Sequence, residues 1–302
     1  MQSVIAALQK ADIGDISLNV PLAPYTTWKI GGPADVLLVP RTKEKLALTV
    51  RLLFAHGQPW TVLGRGSNVL IGDRGIRGFV IKLGPALDTL RVEGTRLIAG
   101  GAYSFIKLSV MAGKEGLTGL EFAGGIPGSV GGAVYMNAGA HGSDVSRILK
   151  RAELVLENGE LLTLEREQLE YAYRHSVLHD KLRGIVTEAV FELEHGDRKE
   201  IAAALAAFKD RRLRTQPLQL ACAGSVFRNP EGHFAAKLIE EAGLKGYRVG
   251  GAEVSPLHAN FIVNTGQATA HDVVSLMEEV QRVVMEKFGV QLNPEVLVVG
   301  ER

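Results

Sequence analysis

Apolar positions recur along this chain with two periods, and the switches between them mark out its elements. Gln2–Lys10 reads as a short amphipathic helix, followed by an irregular stretch to Ile30. Ala34–Val39 has the run of a buried strand, and Leu46, Val50 and Leu53 then follow helical spacing up to a stop at Gly57. Thr61–Leu63, Asn68–Ile71 and Gly78–Leu83 are further strands split by glycine-containing turns, so residues 34–83 predict a β-α-β-β unit.

A hairpin opens the next unit, with strands Leu87–Arg91 and Thr95–Ala99 turned at Glu93-Gly94. Ile106 and Val110 mark a helix ending near Gly116. Ala152–Glu157 and Glu160–Leu164 flank Asn158-Gly159, a strong short-range hairpin signal. Ile185–Glu194 is a strand with charges at Glu188, Glu192 and Glu194. So many antiparallel strands predict an α+β class rather than a regular doubly wound sheet. The polar run from His195 to Lys199 marks a boundary. Beyond it Asp197 caps a helix whose apolar face is Ile201, Leu205 and Phe208. Helices recur at His233–Ala242 before Gly243, and at Ala270–Phe288 between Thr269 and Gly289, the latter with a stripe of Val273, Met277, Val280 and Val284. Leu297–Val299 is a final strand.

The totals narrow the classes. A chain of 302 residues exceeds one ordinary core, so two or three domains are expected. Its 46% hydrophobic and 22% charged residues are an ordinary globular balance. The formal charge of +1 supplies no global field for nucleic acid or an anionic membrane, and neither is expected as a partner. Cys222 is the only cysteine, which excludes an internal disulfide framework and a multi-cysteine metal site. The N-terminus lacks a basic leader with a long apolar segment, and no window approaches the ~18 apolar residues of a membrane span. These features predict a cytoplasmic protein.

Candidate chemistry begins with Phe122–His141, where five glycines fall between Gly124 and Gly132 and no charge lies between Ala123 and Ala140. Such a run can offer successive backbone N–H groups to a phosphate, or can simply form a tight turn between buried strands. The standard nucleotide fingerprints fail. There is no Walker loop, and Gly64-Arg65-Gly66-Ser67-Asn68-Val69 begins as a dinucleotide turn but lacks its last glycine. The contexts of Ser129 and Ser225 do not match a hydrolase elbow. His175 and His179 lie four apart but lack the accompanying glutamate of a zinc helix, so no metal site is expected. Arg211, Arg212 and Arg214 suit a helix C-terminus, and Cys222 suits a small buried position. What remains is polar residues in glycine-bearing contexts: Gly64–Asn68, Gly124–Ala133, Arg174, Ser225 and Glu295. Each alone has an ordinary structural reading, as an ion pair, a cap or a strand end.

Together, and in this order, these segments resemble the UDP-N-acetylenolpyruvoylglucosamine reductases. The resemblance runs from Tyr25-Thr26-Thr27-Trp28-Lys29-Ile30-Gly31-Gly32 through Leu63–Leu70, Gly124–Gly132, Tyr173-Arg174 and Gly224-Ser225 to Gly243-Leu244-Lys245-Gly246 and Pro294-Glu295-Val296. The glycine motifs are shared by a wider FAD-dependent oxidase superfamily, and the Ser225 and Glu295 contexts single out the reductases. The short segment from Arg174 to Asp197 resembles the branch without an extra tyrosine loop.

That resemblance implies a two-domain FAD-binding fold of the vanillyl-alcohol-oxidase type plus a C-terminal α+β substrate domain. The boundaries are residues 1–83, 84–195 and 196–302, with the last strand able to return to the first domain. It implies FAD held by Gly64, Arg65, Gly66, Ser67 and Asn68 and by Gly124, Gly125, Ile126, Pro127, Gly128, Ser129, Gly132 and Ala133. NADPH would be the co-substrate and a UDP-sugar enolpyruvyl ether the substrate. Arg174 and Glu295 match the residues that stabilise the enolic intermediate, and Ser225 matches the proton donor. Asn229 and His258 match substrate contacts, and Lys245 a position for an anionic group. The other readings are a different FAD-dependent sugar or lactone oxidoreductase, and a nucleotide-sugar binding protein without catalysis.

Overall fold

The apolar runs become sheets in the structure, a computed structural model that describes all 302 residues, Met1–Arg302. Helix α1 (Gln2–Lys10) buries Val4 and Leu8. Strand β1 (Gly14–Pro21) occupies a stretch expected to be irregular. Ile16, Leu18 and Val20 do alternate with polar residues, but β1 is a sheet edge and Leu18 is 62% exposed, so the alternation marks no core face. Strand β2 (Pro33–Pro40) and helix α2 (Lys43–Ala55) follow, α2 being capped by Thr42 through its hydrogen bond from the Lys45 N–H. After them come β3 (Trp60–Leu63), β4 (Val69–Ile71) and β5 (Ile76–Lys82). The first sheet has the order β1-β2-β5-β3, with β3 parallel to β5.

Strands β6 (Leu90–Glu93) and β7 (Arg96–Gly100) pair with Glu93 opposite Arg96. Their turn is therefore Gly94-Thr95, one residue later than expected, with Gly94 at φ 62°. Pro85–Leu87, expected in part to open this hairpin, is instead a 3₁₀ turn. Helix α3 (Phe105–Lys114) starts at Ser104. Next come β8 (Leu117–Thr118), α4 (Val130–Met136), and the short pair β9 (Gly139–Ala140) and β10 (Ser143–Asp144).

Strands β11 (Leu149–Leu156) and β12 (Leu161–Glu165) form the hairpin at Asn158-Gly159. The Leu156 N–H donates to the Glu160 carbonyl and the Gly159 N–H to that of Leu156, with Gly159 at φ 82°. This is a three-residue loop ending on a left-handed glycine, not the two-residue turn that Asn-Gly favours. Strand β13 (Gly184–Glu192) joins them in a five-stranded sheet, β12-β11-β13-β7-β6, and β14 (Glu194–His195) pairs with β8.

Helix α5 (Arg198–Thr215) has Asp197 at its start, its carboxylate accepting from the N–H groups of Lys199 and Glu200. Of its expected apolar face only Ile201 is fully buried. Then come β15 (Ala221–Cys222), α6 (Ala235–Glu241), β16 (Arg248–Val249), β17 (Ala252–Val254) and β18 (Ile262–Asn264). Helix α7 (Ala270–Phe288) has the predicted bounds, with a capping box between Thr269 and Asp272 and a left-handed Gly289 at its end. The last strand, β19 (Leu297–Val299), runs parallel to β4.

The chain divides into two compact units. One comprises Met1–Leu18, Val36–Arg65 and Gly78–Asp210, and the other Asn19–Asp35, Gly66–Arg77 and Arg211–Arg302. The first contains two apolar cores, one under the β1-β2-β5-β3 sheet and one around α3, α4 and the five-stranded sheet. In the latter Phe105 meets Phe122 edge-on at 6.1 Å and Phe191 at 6.4 Å. The second unit packs α6, α7 and the four short strands around Trp28, Ile30 and Leu70. Trp28 is wholly buried and donates its indole N–H to the Ile262 carbonyl at 2.8 Å.

Phe105→Ala should cost about 3–5 kcal/mol of stability, since Phe105 is fully buried between two other rings. Urea unfolding of the two proteins measures the difference.

Candidate active site

In the first unit, two glycine-bearing segments far apart in sequence come together. A methyl placed on Gly64 would lie 2.8 Å from the Ser129 hydroxyl oxygen. Gly64, Arg65 and Ser129 line a cavity of about 250 Å³ with Lys82, Leu83, Gly84, Pro85, Asp88 and Ala102. Lys82 ends the apolar strand β5 and donates to the Gly64 carbonyl at 2.8 Å. Burial, and then the nearby Arg65, push its ammonium pKa below the ordinary lysine value. Arg65 and Lys82 beside Gly64 and Gly84 offer cationic donors and open backbone to a diphosphate, with Asp88 the one opposing charge, so the residues fit one part of a flavin dinucleotide.

Ser129 also starts helix α4, its hydroxyl accepting from the Gly132 N–H at 3.3 Å. The first N–H groups of this helix are spoken for within the protein. Val130 donates to the Tyr103 carbonyl, Gly131 to Gly101 and Ala133 to Ser129. The donors of residues 130–133 are thus already paired within the protein. Gly124 lies in a 3₁₀ turn, where a methyl would meet the Leu205 side chain at 2.8 Å. Gly125 is buried in the same turn, Ile126 and Pro127 follow it, and Gly128 bends the chain at φ 143°. Gly132 and Ala133 lie within α4.

The C-terminal end of α4 holds the turn that carries Arg174. Ala172 and His175 exchange both backbone hydrogen bonds at 3.2 Å, and Arg174 sits between them at φ 54°. That conformation costs a non-glycine residue about 1 kcal/mol or more and persists only where surroundings enforce it. Here they do. Tyr171 donates its hydroxyl to the Val134 carbonyl, Ser176 to Tyr135 at 2.6 Å, and Asn137 its amide to Ala172 at 3.0 Å. The Arg174 guanidinium lies 5.0 Å from the Tyr173 ring and donates to the Gly139 carbonyl at 2.7 Å.

In the second unit, Ser225 and Glu295 lie on adjoining stretches. The Glu295 N–H donates to the Val226 carbonyl at 2.7 Å, and the Arg228 N–H to Asn293 at 2.9 Å. Buried Asn260 braces the Ser225 side. Its side chain accepts from the Phe227 N–H and donates to the Phe227 carbonyl, while its own carbonyl accepts from Val226. Asn68 belongs to this cluster, donating its amide to the Glu295 carbonyl at 3.2 Å. Gly66 leads into it at φ 64°, its carbonyl accepting from the Thr27 N–H, and Ser67 lies between.

Asn229 accepts from the Ala235 N–H at the start of α6. Lys245 pairs with Glu240 at 2.7 Å. His258 accepts the Asn260 N–H on Nδ1 at 3.2 Å and meets Phe261 edge-on. Burial pushes its pKa below the ordinary value, so its ring is neutral at pH 7 and carries its proton on Nε2. The structure thus joins Gly64, Arg65 and Ser129, and separately Asn68, Ser225 and Glu295. Lys82, Gly84, Asp88 and Asn260 were not singled out from the sequence. A lysine closing an otherwise apolar strand was the one available signal.

This cradle defines the class. Residues 34–165 match the family described as FAD binding domain, and residues 216–299 match UDP-N-acetylenolpyruvoylglucosamine reductase, C-terminal domain. The protein is an FAD-dependent oxidoreductase. It is 52% identical over 300 residues to UDP-N-acetylenolpyruvoylglucosamine reductase 1 of Bacillus cereus, covering 99% of this chain and 100% of that one. It is 49% identical to the reductase of Bacillus subtilis, covering 99% of each. Among solved structures, the reductase from Thermus caldophilus superposes with a TM-score of 0.81 at 37% identity, over 95% of this chain and 98% of that one. The chain belongs to the UDP-N-acetylenolpyruvoylglucosamine reductase family, in agreement with the resemblance read from its sequence.

Two outcomes check the geometry. Gly64→Ala should weaken FAD binding by on the order of 10- to 100-fold, because overpacking costs about 1–3 kcal/mol, and Ser129→Gly in the same chain should recover part of it. Flavin fluorescence titration reads both. The His258 ring should titrate below 6.5 by NMR. Its folded pKa lies below the unfolded value, so its contribution to stability is fully present above 6.5 and is lost as pH falls below that through the folded pKa.

Proposed function

We propose that this protein reduces the enolpyruvyl ether of UDP-N-acetylglucosamine enolpyruvate to UDP-N-acetylmuramate in peptidoglycan precursor synthesis, with NADPH as the reductant. The observation that carries this reading is the family match over residues 216–299, the stretch that supplies both Ser225 and Glu295. FAD, held by the loops around Gly64 and Ser129, would supply the hydride chemistry at the terminal methylene carbon of the substrate when bound. Negative charge then accumulates on the α-carbon and its carboxylate.

Arg174 meets that charge with a planar guanidinium whose orientation is set by the Gly139 carbonyl. Ser225 donates the proton to the α-carbon, which completes the saturated ether. Its hydroxyl is a weak acid, but the developing carbanion is a strong base and the Asn260 brace fixes the neighbouring backbone. Glu295 acts best as a neutral hydrogen-bond donor to the enolic intermediate. Asn229, Lys245 and His258 contact the substrate, with Lys245 toward an anionic group and the Nε2 proton of His258 available as a donor. Gly66, Ser67 and Asn68, with the loop from Gly124 to Ser129, complete the FAD contacts.

The presence of three apolar cores supports three domains at residues 1–83, 84–195 and 196–302, with Trp28, Ile30 and Leu70 of the first range packed into the core of the last and Val155 and Ile185 into that of the first. No helix is long and apolar enough to cross a membrane, and with a formal charge of +1 this supports a cytoplasmic enzyme acting on small molecules.

The purified protein reconstituted with FAD should show a flavin absorption band that NADPH bleaches and the enolpyruvyl substrate restores. Ser225→Ala should leave the NADPH step nearly intact and slow the substrate step roughly 10²-fold or more. Equal slowing of both steps would remove Ser225 from the role of proton donor.

A further inference from the structure

The hairpin of β9 and β10 touches Arg174 at one end and helix α5 at the other. At its base, the Gly139 carbonyl accepts the 2.7 Å hydrogen bond from the Arg174 guanidinium. At its tip, His141 stands at φ 54° with its ring stacked on Phe208 of α5, centroids 3.9 Å apart and planes 5° from parallel. The hairpin has only two residue pairs, Ala140 with Ser143 and Gly139 with Asp144. Two pairs do not hold a hairpin in place by themselves, so its position depends on what grips it. The Asn137 side chain grips the entry, accepting from the Ser146 N–H at 2.9 Å and donating to Ala172. The ring stack grips the tip.

Simple surface packing does not account for His141. A left-handed backbone is uncommon for a non-glycine residue, histidine being among those that adopt it more often, and glycine or asparagine would form the same bend without a ring. Residue 142 is already glycine, at φ 81°. The bend itself thus does not call for a ring, and what this ring contacts is an aromatic side chain on a helix whose only fully buried residue is Ile201. Phe208 in turn has the His141 ring lying flat against it.

We propose that the His141–Phe208 stack is a positioning contact for Arg174. It fixes the β9–β10 hairpin, and through the Gly139 carbonyl it sets the direction of the guanidinium before the substrate carboxylate arrives. The inference rests on the reading of Arg174 as the residue that stabilises the carboxylate. His141 and Phe208 act through Arg174 and carry out no chemistry themselves.

The test uses His141→Asn, which removes the ring yet suits the left-handed backbone, and Phe208→Leu, which removes the stack from a mostly exposed helix. His141→Phe keeps a ring. Both ring-deletion variants should slow the substrate step about 10-fold or more with the NADPH step unchanged, and His141→Phe should stay within about 3-fold of the parent, since a small misplacement of a catalytic group can cost 10²-fold. With Arg174→Lys already in place, Phe208→Leu should add little further slowing, because the two changes remove one interaction.

A second readout is independent of turnover. The Arg174 15Nε resonance, assigned by its loss in Arg174→Lys, should shift or broaden in both ring-deletion variants and not in His141→Phe. Full additivity with Arg174→Lys, or an unmoved Arg174 resonance, overturns the proposal. A parent enzyme that never reoxidises with the enolpyruvyl substrate would overturn the proposed function instead, and the resonance would still decide the positioning claim.

Discussion

The close approach of Gly64 and Ser129 is the constraint from which the cavity of the first unit follows. A side chain of any size on Gly64 would meet the Ser129 hydroxyl at 2.8 Å, so the loop after β3 and the start of α4 share one wall of the cavity. The same hydroxyl caps α4, which ties the cavity wall to the helix register. The far end of α4 then fastens the Arg174 turn through Tyr171, Asn137 and Ser176. One short helix thus has a cavity wall at its start and the Arg174 turn at its end. Its own backbone donors are used to seat it against Gly101 and Tyr103, which suits a rigid mount better than a flexible phosphate loop.

The second unit solves a similar problem with less secondary structure. Ser225 and Glu295 sit on irregular chain, where neither helix nor sheet would fix them. Asn260 replaces the missing ladder: its side chain and carbonyl together satisfy Val226 and Phe227, while Val226 in turn accepts from Glu295. A buried amide with both ends satisfied is worth its desolvation only when every partner is present. That makes Asn260 a structural requirement although it carries no reactive group.

Much of this was legible in advance, and for identifiable reasons. Helix α7 was readable to the residue because its stripe, its capping box and its terminal glycine agree. The family could be read because Ser225 and Glu295 keep their immediate neighbours. Strand β1 was hidden because an edge strand buries too little to show which face is the core, and the hairpin at Asn158-Gly159 chose a longer loop than its dipeptide favours. Within the candidate site, glycine density pointed to a region of which one residue lines the cavity. Of Gly124–Ala133, Ser129 alone lines the cavity, and the first turn of α4 is committed to packing. Lys82 and Asn260 escaped notice because their importance comes from partners distant in sequence, Gly64 in one case and Phe227 in the other.

The parallel pairing of β19 with β4 also bears on how the molecule is made. The first unit is complete in sequence once Asp210 has been synthesised, whereas the second draws on residues 19–35, 66–77 and 211–302. Domains generally fold as units, N-terminal first, during synthesis. The segment around Trp28 and strand β4 therefore meets its apolar partners only after residues 211–299 have been made. Because Leu297–Val299 pairs with Val69–Ile71, a chain truncated before Leu297 can contain the cavity residues of the first unit and still lack the partner of β4.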